Sequence, residues 1–297
     1  MSMTLREKLN ADKFVVTAEL SPPKGPDVSE LLERVQSLKG WADAINLTDN
    51  NRSIMCLSSV AASALVLREG IEPILQITCR DRNRMGIQSD LLGAYALGVK
   101  NVLSLTGDPV KVGDHPDAKE VFDIDSLQLM KALQELNRGF NMSGKELNGK
   151  TDFFIGAAAN PGAKDLDIEL SKFQKKIESG AQFFQTQGVY EVEPFKGFMA
   201  LIQPFSTKVI AGIILLKSAK MARFLNEKVP GIHVPDSFIE LLEKSSDPMA
   251  AGVQIAAQTI RDLNGIAHGV HLMCLGREDL IPEILNLAGR KANPVSV

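Results

Sequence analysis

Residues 165–187 read DLDIELSKFQKKIESGAQFFQTQ, and the way this stretch changes period decides the fold. From Asp165 to Ser179 the pattern is amphipathic at the helical repeat. Gly180 follows, where a helix end wants a left-handed residue. Gln182–Gln187 is then a short, aromatic-rich run of strand length. Helix, glycine and buried strand in succession are one half of a βαβ unit.

The same alternation extends in both directions. Further strand-like runs are Phe14–Leu20, Ala44–Thr48, Ile74–Thr78, Asn101–Thr106, Phe153–Ala159, Lys208–Ile214 and Val270–Leu275. Most are nearly continuous in apolar character, as strands buried on both faces of a parallel sheet are. Between them lie helical patterns at Val28–Leu38, Ser58–Glu69, Ser89–Leu97, Ser126–Leu136, Pro194–Ile202 and Ala219–Glu227. In the first of these Leu31, Leu32, Val35 and Leu38 share one face. Gly70 and Gly98 close two others as Gly180 does. Two extra helices, Pro235–Leu242 and Pro248–Leu263, precede the last strand, and Asp279–Leu287 follows it. About eight β-then-α units without a flexible linker favour one α/β domain over residues 1–297, a closed (β/α)8 TIM barrel. A doubly wound eight-stranded sheet is the alternative. Pro109–Phe122 is a long connection on the catalytic rim, and Asn137–Thr151 reads as a small hairpin insertion around Asn148-Gly149.

Composition narrows the function. The 297 residues are 44% hydrophobic and 23% charged, with a net charge of −3, which is a globular profile without the basic footprint of nucleic-acid binding. Cys56, Cys79 and Cys274 are scattered, so no zinc, iron–sulfur or other metal site is expected. Cys56 and Cys79 read as small buried hydrophobes. The polar start MSMTLREKLNADK lacks a signal-peptide core, and no apolar run is long enough for a membrane span. A cytoplasmic protein is expected.

In a barrel, chemistry is expected from polar residues at the C-terminal ends of strands. Here these are Glu19, Thr48 with Asp49, Gln76 with Thr78, Asp108, Asn160 and Gln187; no histidine ends a strand. Glu19 interrupts an apolar strand closed by Pro22-Pro23, where desolvation is expected to raise its pKa into the range of a general acid. An ion pair with a lysine such as Lys24 is the bland alternative. Asp108 follows Gly107, which permits close approach of a ligand; the competing role is a turn cap. Gln187 offers donor and acceptor to a heterocycle, whereas Gln185 suits an interior layer. Lys172, Lys175 and Lys176 are either a solvated helix face or a phosphate clamp, and neither GxGxxG nor a P-loop is present.

Five motifs in order resemble the methylenetetrahydrofolate reductase family from about Phe14 to Leu287. AELSPPK resembles its F-E-x-x-P-P-K, with Ala18 for the Phe and Glu19 at the acid position. ITCRDRNR matches the third-strand segment, LTGD the L-[RT]-G-D, AANP the A-A-x-P, and KKIESGAQFFQTQ the K-x-x-x-G-A-x-x-x-x-T-Q. The resemblance implies a flavin enzyme that reduces 5,10-methylenetetrahydrofolate to 5-methyltetrahydrofolate. Glu19 would protonate N10, Asp108 would stabilise the developing cation, and Gln187 would bind folate, with Phe224 near the family's stacking aromatic.

Flavin contacts implied by position are Thr48, Gln76, Leu105, Thr106, Gly107, Asp108, Phe122, Asp123, Ala158, Asn160, Glu169, Lys172, Lys175 and Lys176. Several depart from the better-known bacterial pattern: Gln76 for His, Thr106 for Arg, Phe122 and Asn160 for Tyr, Glu169 for Asp, Lys172 for Asn and Lys175 for Arg. FAD is the implied cofactor and FMN the alternative, because Thr106 and Asn160 bear on the AMP end. The electron donor is NADH, NADPH or a partner subunit carrying zinc or iron–sulfur cofactors, in a homo- or hetero-oligomer. Competing functions are a pterin-binding barrel methyltransferase and a structural subunit of a larger electron-transfer complex.

Overall fold

The computed structural model describes residues 3–292. Eight parallel strands close on themselves in sequence order. They are β1 (Val15–Leu20), β2 (Ala44–Leu47), β3 (Glu72–Thr78), β4 (Asn101–Leu105), β5 (Phe154–Ala159), β6 (Phe183–Gly188), β7 (Lys208–Ile214) and β8 (Gly269–Met273). Closure is made by β8 against β1, in a register that sets Thr17 opposite His271. The expected TIM barrel is therefore the observed one, and the doubly wound alternative is excluded.

The helices are α1 (Leu5–Asn10), α2 (Ser29–Leu38), α3 (Ser59–Arg68), α4 (Arg84–Ala96), α5 (Ser126–Arg138), α6 (Leu166–Glu178), α7 (Val192–Ile202), α8 (Ala219–Lys228), α9 (Asp236–Lys244), α10 (Pro248–Leu263) and α11 (Ile281–Leu287). Their apolar stripes pack on the outside of the barrel, Leu31, Val35 and Leu38 of α2 among them. α9 and α10 are the extra pair expected before the last strand, and with α8 they enclose a satellite core around Val234 and Leu242. The fourth helix starts at Arg84 rather than Ser89, because Asn83 caps it through its Oδ1 with the N–H groups of Met85 and Gly86.

α1 lies in the stretch expected only to be polar. Thr4 and Glu7 form a reciprocal capping box, and Leu5 and Leu9, one turn apart, are buried. They join Val15, Ile74, Leu103, Phe154, Phe183 and Ile210 in an apolar tier that seals the N-terminal end of the barrel. Gly156 in that wall is obligatory: a Cβ there would stand 2.3 Å from the Phe183 ring. The insertion after α5 is a hairpin as expected, but its turn is Asn141–Lys145, not Asn148-Gly149. Asn141 Oδ1 accepts from the N–H groups of Ser143 and Lys145, which makes that turn the stronger one.

Candidate active site

Alternation along the strands stacks three tiers inside the barrel. Above the apolar tier, Thr17, Asn46, Gln185 and His271 are all buried. Asn46 and Gln185 exchange amide hydrogen bonds at 2.7 and 3.0 Å, and Gln185 Nε2 donates to Thr17 Oγ1 at 3.2 Å. Gln185 is thus the interior residue it was expected to be. Above it, Glu19 opens to the mouth, its side chain 17% exposed. Gln76 Nε2 donates to Glu19 Oε2 at 3.0 Å.

His271 is a residue that the strand-end reading missed. It sits mid-strand in β8, beneath the mouth, with Nδ1 2.9 Å from Thr17 Oγ1 and Nε2 3.6 Å from Glu19 Oε2. This changes the electrostatics of the acid. Burial alone would push the Glu19 carboxyl up, as expected from the sequence. Hydrogen bonding and charge attraction from His271, helped by the Gln76 amide, outweigh burial and hold it below the ordinary glutamate range. Lys24, the other partner considered, pairs with Asp114 instead.

A second assembly shapes the rim at β2, β3 and β4. Asp49 accepts from both the N–H and the hydroxyl of Thr78 at 2.8 Å, and pairs with Arg82. Arg80 is 1% exposed; it grips Asp81 bidentately and donates to the carbonyls of Asn50 and Asp108. Ser53 Oγ also donates to the Asp108 carbonyl, at 3.0 Å. The backbone of Asp108 is therefore fixed from below while its side chain is exposed. Gly107 makes the turn with φ of 95°, and a Cβ there would press on Thr78 at 3.0 Å. The long loop after β4 does lie on this rim, tied back by the Val121 N–H to the Arg80 carbonyl. Cys79 is buried beneath it, its thiol pushed up to about 12 by burial, while Cys56 is only half-buried.

The remaining expected residues fall into groups. Thr48 is buried and bonds Ser21; Leu105 is half-buried, and exposed Thr106 bonds Ser126. Phe122 is half-buried with φ of 38°, and Asp123 beside it is occupied by Arg84. Beyond β5, Glu169 Oε1 accepts from the Asn160 N–H at 2.9 Å, and Lys176 Nζ donates to the Ala158 carbonyl at 2.7 Å. Lys172 and Lys175 are exposed and form no ion pair among the described residues. Gln187 is exposed where the β6–β7 register shifts, a bulge that turns it out of the ladder. Phe224 is on α8, 48% exposed. A basic hollow of about 720 Å³ lies at the other end of the barrel, around Phe14, Trp41 and Arg290, remote from all of these.

Known proteins resemble this chain in sequence and in fold. A Caenorhabditis elegans protein named probable methylenetetrahydrofolate reductase (NADPH) is 26% identical over 91% of this chain and 42% of its own length. A Pectobacterium carotovorum 5,10-methylenetetrahydrofolate reductase is 24% identical, over 96% of this chain and 95% of its own. The chain spans less than half the length of the nematode relative and of a Schizosaccharomyces pombe one, 42% and 46%. A solved Clostridium thermocellum structure, which binds two copies of 5-methyl-5,6,7,8-tetrahydrofolic acid, shares the fold with a TM-score of 0.67 at 17% identity, covering 96% of this chain and 97% of that one. With the barrel closed and residues 4–289 matching the model of the methylenetetrahydrofolate reductase family, the chain belongs to that family.

Proposed function

We propose that this chain reduces 5,10-methylenetetrahydrofolate to 5-methyltetrahydrofolate, using FAD. The observation that carries the reading is Glu19, a carboxylate at the mouth of a barrel of this family, held by Gln76 and His271 rather than neutralised by a lysine. The folate bound by the Clostridium structure is the product class expected here.

The residues around the mouth suit a flavin. Asn160 Oδ1 is buried without a hydrogen-bond partner, and Thr106 and Asp108 present exposed side chains on a turn whose glycine admits close approach. Lys172 and Lys175 supply uncommitted positive charge for a phosphate. Lys176 contributes by holding the Ala158 carbonyl in place. Thr48 and Gln76 line the inner edge. When bound, the reduced flavin supplies the hydride.

The chain's own groups do the acid–base work. Opening the imidazolidine ring of the folate requires a proton on N10, and Glu19 delivers it. Asp108, its backbone clamped by Arg80 and Ser53, sets a carboxylate against the cation that opening creates. Gln187 hydrogen-bonds the pterin, and Phe224 offers a ring for stacking. An absorbance spectrum of the purified protein tests the reading: flavin bands support it, and a colourless protein that takes up neither FAD nor FMN contradicts it.

A further inference from the structure

The hydroxyl of Thr17 has three polar neighbours. Its oxygen stands 3.5 Å from the Val270 carbonyl and accepts from Gln185 Nε2 at 3.2 Å, the Gln185 amide being oriented by its two hydrogen bonds with Asn46. With the Thr17 hydroxyl turned to Val270, His271 Nδ1 is the donor of the 2.9 Å contact between them; Gln185 Nε2 lies 3.5 Å from the same nitrogen. The lone pair of Nε2 then points at Glu19 Oε2, 3.6 Å away. Two bare acceptors at that distance repel, and a proton on either one relieves the repulsion.

We propose that His271 stores the proton that Glu19 delivers, the two residues holding one proton between them across the β8–β1 seam. The inference rests on the acid role assigned to Glu19 above. In the open barrel the proton resides on Nε2, because Gln76 donates to Glu19 and water reaches the carboxylate through the mouth. A ligand seated over the mouth expels that water. Without it an ion pair is costly, and the uncharged arrangement is favoured. The Nε2–H bond breaks, an O–H bond forms on Glu19, and the electron pair stays on Nε2. Glu19 is then a neutral acid beside its substrate, and it gives the proton to N10. Solvent restores the proton when the mouth reopens.

Among the described residues the bonded partners of Glu19 are His271 and neutral Gln76, and no third charged group pairs with either member. His271 acts through Glu19 and is a positioning residue.

The test labels the histidine rings with ¹⁵N. Of the chain's four histidines, His271 is assigned by its loss in His271→Gln or, if that variant does not fold, by its shift in Thr17→Ser. The proposal expects both nitrogens of His271 to be protonated in the wild type at neutral pH. In Glu19→Gln the ring should become neutral, keeping only the Nδ1 proton. A bare Nδ1, or a ring unchanged by Glu19→Gln, overturns it. A kinetic arm follows in the flavin-loaded, reduced protein. His271→Gln should slow reoxidation by methylenetetrahydrofolate by ~10²-fold or more, with the double variant no slower than Glu19→Gln alone. Wild-type reoxidation in His271→Gln overturns the proposal. If wild-type protein ignores the folate, the proposed function fails, and the labelled ring by itself still decides whether the pair holds one proton.

Discussion

Nε2 of His271 stands 3.6 Å from Oε2 of Glu19, and the two residues come from opposite ends of the chain. The register of β8 on β1 sets His271 opposite Thr17, two residues below Glu19 on the same inward face. Barrel closure thus sets an imidazole beside the Glu19 carboxyl, which would otherwise simply be desolvated.

Arg80 should prove to be the keystone of the rim. Arg80→Met removes one of two donors from each of the Asn50 and Asp108 carbonyls and takes from Asp81 its ion-pair partner. Asp81 is a third exposed, so the full penalty of breaking a buried pair does not apply, and the loss should be about 1.5–3 kcal/mol. Urea unfolding measures it. A midpoint equal to wild type would show that the buried guanidinium is dispensable.

The lysines of α6 should separate into two kinds. Lys172→Ala with Lys175→Ala should weaken flavin binding about tenfold or more per lysine, at ~1.5–3 kcal/mol for each hydrogen bond to a charged group, with an unchanged melting curve. Lys176→Ala should also lower the melting temperature, because it frees the Ala158 carbonyl. Undiminished flavin affinity in the double variant would return Lys172 and Lys175 to a solvated face.

Acid should disengage the loop that follows β4. The Arg84 guanidinium, and then its backbone N–H, hold the Asp123 carboxyl down at about 2. A depressed folded pKa gives stability that is complete above the unfolded value, near ~4, and is lost as pH falls toward about 2. The stability gap between wild type and Arg84→Met should be constant above about pH 5 and shrink between about 4 and 2. A gap that does not change across that window would contradict the pairing.

NADH alone should bleach the bound flavin under anaerobic conditions, since the mouth is open and Phe224 exposes a ring. Failure to bleach over minutes, with rapid reduction by a chemical reductant and normal folate turnover afterwards, would transfer the donor role to a protein partner.

Most of the barrel was legible because buried parallel strands carry a continuous apolar signature, and Lys208–Ile214 falls where the sequence places it. Glu19 and Gln76 were legible as polar interruptions near strand ends. His271 was not, since it lies inside an apolar run and acquires its meaning from contacts some 254 residues away. The direction of the Glu19 shift was lost for the same reason. Arg80, within ITCRDRNR, carries no signal of its own in the sequence, because burial of a guanidinium depends on the loops of Asn50, Asp81 and Asp108 meeting over it. The helix at Leu5–Asn10 had a readable signal, the Thr4-x-x-Glu7 capping box, masked by the polar composition around it.

The central claim is that Glu19 delivers a proton during reduction of methylenetetrahydrofolate, and anaerobic reoxidation of the reduced, flavin-loaded protein by that folate measures it directly. Wild type should return oxidised flavin and one 5-methyltetrahydrofolate per flavin, and Glu19→Gln should do so ~10²–10⁴-fold more slowly while its flavin is reduced normally. A wild-type protein whose flavin stays reduced in the presence of the folate, or a Glu19→Gln variant reoxidised at the wild-type rate, would contradict the account.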